Sequence, residues 1–193
     1  EDLLARLYLL PNEYGRLFRA SIVANPRNPL ASILFIVCRD SAGKLVRAPT
    51  TLKKNVSTYL NEFRMINDAI DILDVNVVNY RVSVSIIAAP NSNKKLVARK
   101  ILDKLQKLFK ITKYQVGQPM VESDIINTII NVPGVLSLIE LRLDSLQGII
   151  SGRGYSNASF NFSQNKQNGI YFCGPGDIFE LRYPDEDILI NVR

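Results

Sequence analysis

The stretch VNVVNYRVSVSIIA, residues 75–88, carries the reading of the fold. Val78, Tyr80, Val82, Val84 and Ile86 fall on one side of an extended chain, and Asn79, Arg81, Ser83 and Ser85 on the other. Alternation at period two predicts a long strand. One face belongs in a core, and the other is wet or meets a partner.

Upstream, ASILFIVCR (31–39) is apolar on both faces, as in a central, doubly covered strand. NPRNP (25–29) is a turn, and YGRLFRASIVA (14–24) before it alternates as a further strand. Pro49, Thr50 and Thr51 open a helix whose core positions are Leu52, Val56, Tyr59, Leu60 and Phe63. RMINDAIDILD (64–74) sets Asp68, Asp71 and Asp74 among apolar residues. With no second ligand cluster and no glycine-centred calcium loop, these acids read as the polar rim of a loop or short helix.

Downstream, PNSN (90–93) supplies turn residues and an asparagine cap for a helix over 94–113. Its apolar stripe is Ala98, Ile101, Leu102, Leu105, Leu108 and Phe109. A shorter helix covers 121–131 with Val121, Ile125, Ile126, Ile129 and Ile130 inward; NVPGV turns at 131–135, and LSLIELRLD (136–144) is a strand. The order β-β-α-β-α-α-β predicts an α+β fold, a mixed sheet with helices on one face, broadly ferredoxin-like. The domain spans 14–147, after a linker or helix end at 1–13.

Composition changes beyond residue 148. Six of the ten glycines and seven of the sixteen Phe and Tyr residues lie between there and Tyr183. SFNFS, GIYFC, DIFELRY and DILINV read as short strands joined by NKQNG, GPG and PDED turns. Residues 148–193 are therefore a Gly/Asn/aromatic-rich β appendage or arm, too thin to fold alone, that packs on the main domain or a neighbouring subunit.

Among 193 residues there are 24 Lys plus Arg, 18 Asp plus Glu and no histidine, a net charge of +6. Without histidine there is no Ser-His-Asp or Cys-His nucleophile, no His-ligated metal and no histidine pH switch. Cys38 and Cys173 are too few for a disulfide scaffold or a Cys₄ zinc site, and Cys38 in ILFIVCRD reads as a buried thiol. No stretch reaches the length of a membrane span. GRG (152–154) and GPG (174–176) do not extend into a phosphate loop or GxGxxG, and GxSxG, CxxC and DxDxDG are absent. The chain reads as no enzyme, with no cofactor and no small-molecule substrate.

The charge is concentrated. Lys94, Lys95, Arg99, Lys100, Lys104, Lys107, Lys110 and Lys113 surround one acid, Asp103, so 94–113 nets +7 and the remaining residues −1. Such a face is either solvated or docks an acidic partner. Nucleic acid is the weaker partner, because stacking aromatics are scarce beside it. The candidate interaction residues are Lys95, Arg99, Lys100, Lys104 and Lys107 on the helix, and Phe160, Phe162 and Tyr171 in the appendage.

Three stretches together carry a family resemblance: LPNEYGRLFRASIVANPRNP (10–29), STYLNEFRMINDAIDILDVNVVNYRV (57–82) and IINVPGVLSLIELRL (129–143). The chain resembles the baseplate wedge subunit of T-even-like contractile-tailed bacteriophages, in the baseplate J-like superfamily. The resemblance covers most of residues 10–144 and none of 148–193. It implies a structural virion protein of the tail baseplate, made late and assembled in the host cytoplasm. It implies a homodimer that joins other wedge proteins in a ring around the tail hub, and a ring that rearranges when the baseplate switches. It has no catalytic residues to carry over. The family protein is longer, so this chain, which begins at Glu1, is expected to be its C-terminal portion. The alternatives are a ferredoxin-like nucleic-acid-binding module using 94–113, and an enzyme with a carboxylate site.

Overall fold

The computed structural model describes residues 2–63 and 69–193. In chain order the elements are α1 (Asp2–Tyr8), a 3₁₀ turn (Asn12–Tyr14), β1 (Arg19–Asn25), β2 (Asn28–Arg39), β3 (Leu45–Val46), α2 (Thr50–Asn61), β4 (Ala69–Asp74) and β5 (Asn76–Ala88). Then follow α3 (Lys94–Leu108), a second 3₁₀ turn (Ile111–Lys113), β6 (Met120–Val121), α4 (Glu122–Ile130), β7 (Val135–Leu146), β8 (Ile149–Ile150) and β9 (Arg153–Gly154). The chain closes with β10 (Lys166–Gln167), β11 (Ile170–Tyr171), β12 (Asp177–Glu180), α5 (Pro184–Asp187) and β13 (Ile188–Val192).

These elements make an α+β protein divided into two compact units. One holds Glu1–Asn76, Gln115–Gly117 and Gly174–Ile178; the other holds Val77–Tyr114, Gln118–Cys173 and Phe179–Arg193. The division differs from the expected 14–147 domain with a 148–193 appendage, because most of the late strands are built into the second unit. The strands also lie in several sheets, not in one sheet of the ferredoxin-like order.

In the first unit β2 is central, antiparallel to β1 and parallel to β4. The return from β2 to β4 runs through α2, as a parallel pair requires a crossover. Leu34, Ile36 and Cys38 of β2 meet Leu52, Val56 and Leu60 of α2 and Leu7 of α1, all buried. Tyr59 is only partly buried and Phe63 is exposed, so the helical stripe is narrower than expected. The Tyr8 hydroxyl accepts a hydrogen bond from the Ala20 amide at 3.0 Å, capping a backbone donor of β1.

Three local expectations are corrected here. Residues 69–74, read as loop or short helix, are strand β4: Ile70 and Ile72 pack inward against the core while Asp71 and Leu73 point away, a period of two. Residues 64–68 of that same reading lie outside the described residues. The strand expected from residue 14 starts at Arg19, because Gly15 turns the chain at a φ of +111°; a Cβ there would lie 2.7 Å from Leu52 Cδ1. The 25–29 turn shrinks to Pro26–Arg27, since Asn25 and Asn28 side chains accept the amides of Arg27 (2.9 Å) and Leu30 (3.1 Å).

The second unit is built on β5, whose inner residues Val78, Tyr80, Val82, Val84 and Ile86 are buried. β7 pairs with it antiparallel, and β13 pairs in parallel, Ile188 opposite Val82 through Val192 opposite Ile86. α3 packs toward β13, α4 toward β7, and the two helices against each other, so both cover one face. α3 ends at Leu108, and Ile111–Lys113 forms its own turn, where a single helix over 94–113 was expected. SFNFS (159–163) is not a strand, and PDED is a helical turn with proline in its first turn.

Truncating Leu34, 1% exposed at the centre of the first core, to alanine should cost about 2–5 kcal/mol. Leu30→Ala, at 67% exposure, should stay within about 0.5 kcal/mol of the parent in urea unfolding.

Candidate interaction surfaces

The basic helix α3 is capped as its sequence foretells: Asn93 Oδ1 accepts the amides of Lys95 (3.1 Å) and Leu96 (3.3 Å). Val97, Ile101, Leu105 and the following Phe109 are buried, spaced by four. Lys95, Arg99, Lys100, Lys104 and Lys107 are exposed on the other side. Among the described residues no ion pair engages Lys95, Arg99, Lys100 or Lys107. Lys104 acts locally. Its Nζ donates to the Asn131 carbonyl at 3.0 Å, at the C-terminus of α4, where a cation answers the helix dipole. Lys107 sits in the last turn of α3, also a favourable place. Lys94 and Lys95 occupy the first turn, which has no acid. Two cations at a helix N-terminus oppose the dipole, so helix stability does not account for them.

The three aromatic candidates turn inward. Phe162 and Tyr171 are buried and Phe160 is half-buried, within a cluster that includes Tyr80, Phe109 and Phe179. Phe160 meets Phe162 at 4.8 Å and Phe179 at 5.2 Å, both edge-to-face, and Tyr80 stands edge-on to Phe109, Phe162 and Phe179. Tyr171 adds its ring to Phe162 at 5.6 Å and donates its hydroxyl to Glu122 Oε1 at 2.9 Å. These residues were expected at a contact surface. Burial of large rings in edge-to-face geometry makes them core instead.

The outer face of β5 holds a polar cluster that the alternation pattern marked only as wet. Asn79 is fully buried: Nδ2 donates to Glu180 Oε2 at 2.9 Å, and Oδ1 accepts from the Ser156 amide at 2.7 Å. Ser156 Oγ donates in turn to the Val77 carbonyl. Glu180, 3% exposed, pairs with Arg182 at 3.1 Å. Further along β5, Arg81 faces the buried Asp187 at 3.9 Å, and the Tyr155 hydroxyl donates to the same carboxylate at 2.8 Å. Burial raises the Asp187 pKa, while Tyr155, the Tyr183 amide and the charges of Arg81 and Arg153 pull it down. The Tyr155 hydroxyl is pushed up to about 12, by burial first and then by Asp187. Tyr114 is likewise held at about 12, chiefly by burial. In the sequence Asn79 looks like any polar residue on a solvated strand face. Its role shows only when Ser156 and Glu180, 77 and 101 residues further along the chain, close on it.

The acids 68, 71 and 74 do not form a set. Asp71 accepts from Asn25 Nδ2 at 3.3 Å, Asp74 pairs with Lys53 at 2.8 Å, and Asp68 lies outside the described residues. Among the described residues no three His, Cys, Asp or Glu side chains gather as metal ligands, and no helix is long and apolar enough to cross a membrane. Cys38 is buried, Cys173 is half-buried, and no disulfide joins them. Burial, with Asp74 nearby, raises the Cys38 pKa.

No protein-family model matches the chain, and no curated protein matches its sequence. Among solved structures it is similar in fold to a chain of the baseplate of the anti-feeding prophage, determined by cryo-electron microscopy with six-fold symmetry. The TM-score is 0.53 at 12% identity, over 75% of this chain and 32% of that chain. This chain thus corresponds to about a third of the length of the protein it matches.

Asn79→Ala takes one donor from the buried Glu180 carboxylate and removes the acceptor of the Ser156 amide, and should cost about 1–3 kcal/mol in denaturant unfolding. Tyr114 and Tyr155 titrate near 10.0 when unfolded and at about 12 when folded, so the unfolded chain loses those protons first. Their contribution to stability is intact below pH 10 and is lost as the pH rises toward about 12. Melting temperature followed alongside tyrosinate absorbance should show that decline, and a flat profile over that window would contradict it.

Proposed function

We propose that this chain is a structural part of a contractile-tail-type baseplate, working through interfaces with other subunits and not as an enzyme. The observation that carries this reading is the fold shared with the anti-feeding prophage baseplate chain. The family resemblance in residues 10–143 supports the same reading from an independent direction, and narrows it to a wedge subunit. Its partners are then itself, as a homodimer or ring, and other wedge proteins, in the tail of a virion.

The docking surface in this reading is the exposed face of α3. Among the described residues no ion pair engages Lys95, Arg99, Lys100 or Lys107, and of these only Lys107 answers a helix dipole. Lys94 and Lys95 stand against the helix dipole. An acidic protein surface would relieve both, and steer its own approach. Nucleic-acid phosphates would do so as well, but Phe162 and Tyr171, which could stack unpaired bases, are in the core.

Reversing all four charges (Lys95→Glu, Arg99→Glu, Lys100→Glu, Lys107→Glu) should leave melting unchanged, because these side chains are exposed. It should abolish co-sedimentation with whichever baseplate proteins bind the parent chain. Retained co-sedimentation removes the α3 face from the interface. Salt-sensitive binding of the parent to duplex DNA, lost in the same variant, would favour the nucleic-acid reading instead.

A further inference from the structure

A cavity of about 410 Å³ opens in the first unit, beside the Asn12–Tyr14 turn, the β2–β3 pair and the start of α2. Arg16, Arg39 and Arg47 line it, against one acid, Glu13. We propose that this cavity binds a multivalent oxyanion, a polycarboxylate or a polyphosphate. The proposal goes beyond the baseplate reading and uses none of the α3 residues.

Three arginines and a single acid line one concavity, an excess of cationic side chains that favours an anionic ligand. A guanidinium presents a planar fork of donors matched to the paired oxygens of carboxylate and phosphate. The lining also offers the Thr51 hydroxyl in the first turn of α2, a turn that holds no acid and whose cap, Pro49, has no side-chain acceptor.

Part of the wall is held in place by the fold. Arg39 Nε donates to the Gly43 carbonyl at 2.9 Å, and its guanidinium lies 5.5 Å from the Phe18 ring centre. Gly43 holds a φ of +85°, a left-handed conformation that favours glycine in the turn beside Arg39. The Cys38 thiol reaches the Arg16 carbonyl at 3.6 Å, and Asn55 Nδ2 donates to the Tyr14 carbonyl at 3.1 Å. Both bonds tie the Tyr14–Arg16 backbone to the core. A preformed wall lowers the ordering cost of binding. The volume falls in the range of sites for small organic ligands, about 300–1,000 Å³, and exceeds the needs of a bare monovalent ion. Size and charge together select a ligand with more than one anionic group.

The test is calorimetric titration of the whole chain with pyrophosphate and with citrate, using acetate and chloride for comparison. Both multivalent anions should bind saturably, and amide NMR shifts should centre on residues 14–16, 39 and 47. Arg16→Glu and Arg47→Glu should each weaken binding about tenfold or more, one charge-assisted contact apiece. Arg47→Gln provides the milder variant should charge reversal disturb folding, and it should still weaken binding. Lys107→Glu on α3 should leave the affinity unchanged, which keeps this site separable from the docking face. Hexaglutamate binding with the same arginine dependence would support the site and assign its ligand to acidic side chains. Its exclusion, with citrate and pyrophosphate still bound, would support a free small anion. Absence of saturable binding, or binding indifferent to Arg16 and Arg47, overturns the proposal.

Discussion

The second unit depends on β5 being bonded along both edges while its inner face is sealed. Val78, Tyr80, Val82, Val84 and Ile86 are at most 2% exposed, so no part of that face can be left to water without losing a large share of the core. A thirteen-residue strand at the centre of a sheet also carries backbone groups on two sides that must all be paired. β7 supplies one side. The last strand of the chain, β13, runs parallel to β5 on the other over Val82–Ile86, and β12 is a further partner of β5. The C-terminal residues are thus a structural requirement of β5, and the aromatic rings among them fill the space beside Tyr80.

Polar chemistry then sets how that tail lies. Asn79 satisfies a carboxylate on one side and a loop amide on the other, and Asp187 gathers Tyr155, the Tyr183 amide and Arg81. Buried polar groups of this kind add little net stability when complete, yet penalise any other register heavily, because each misplacement strands a desolvated charge. Apolar packing accounts for the existence of the unit. The polar cluster accounts for which residues meet.

Surface charge follows a different logic. Lys104 and Lys107 serve helix ends, so part of the basic face is explained within the chain. The remainder has no internal counterpart among the described residues.

Periodicity alone determined a good part of this protein. The strands at 31–39 and 75–88, the capped helix after Asn93, the concentration of charge on it and the α+β class are all written in local spacing, because side-chain period and helix caps are properties of neighbours in sequence. Tertiary structure decided the rest. Residues 69–74 became a strand because β2 offered an edge, and Phe162 and Tyr171 became core because Tyr80 offered a surface. Asn79 became a buried junction because Glu180 and Ser156 arrive from far along the chain. The gathering of Arg16, Arg39 and Arg47 around one cavity is of the same kind. Each of these depends on pairings between residues distant in sequence, whose strength comes from burial and desolvation, and no window of neighbouring residues contains that information.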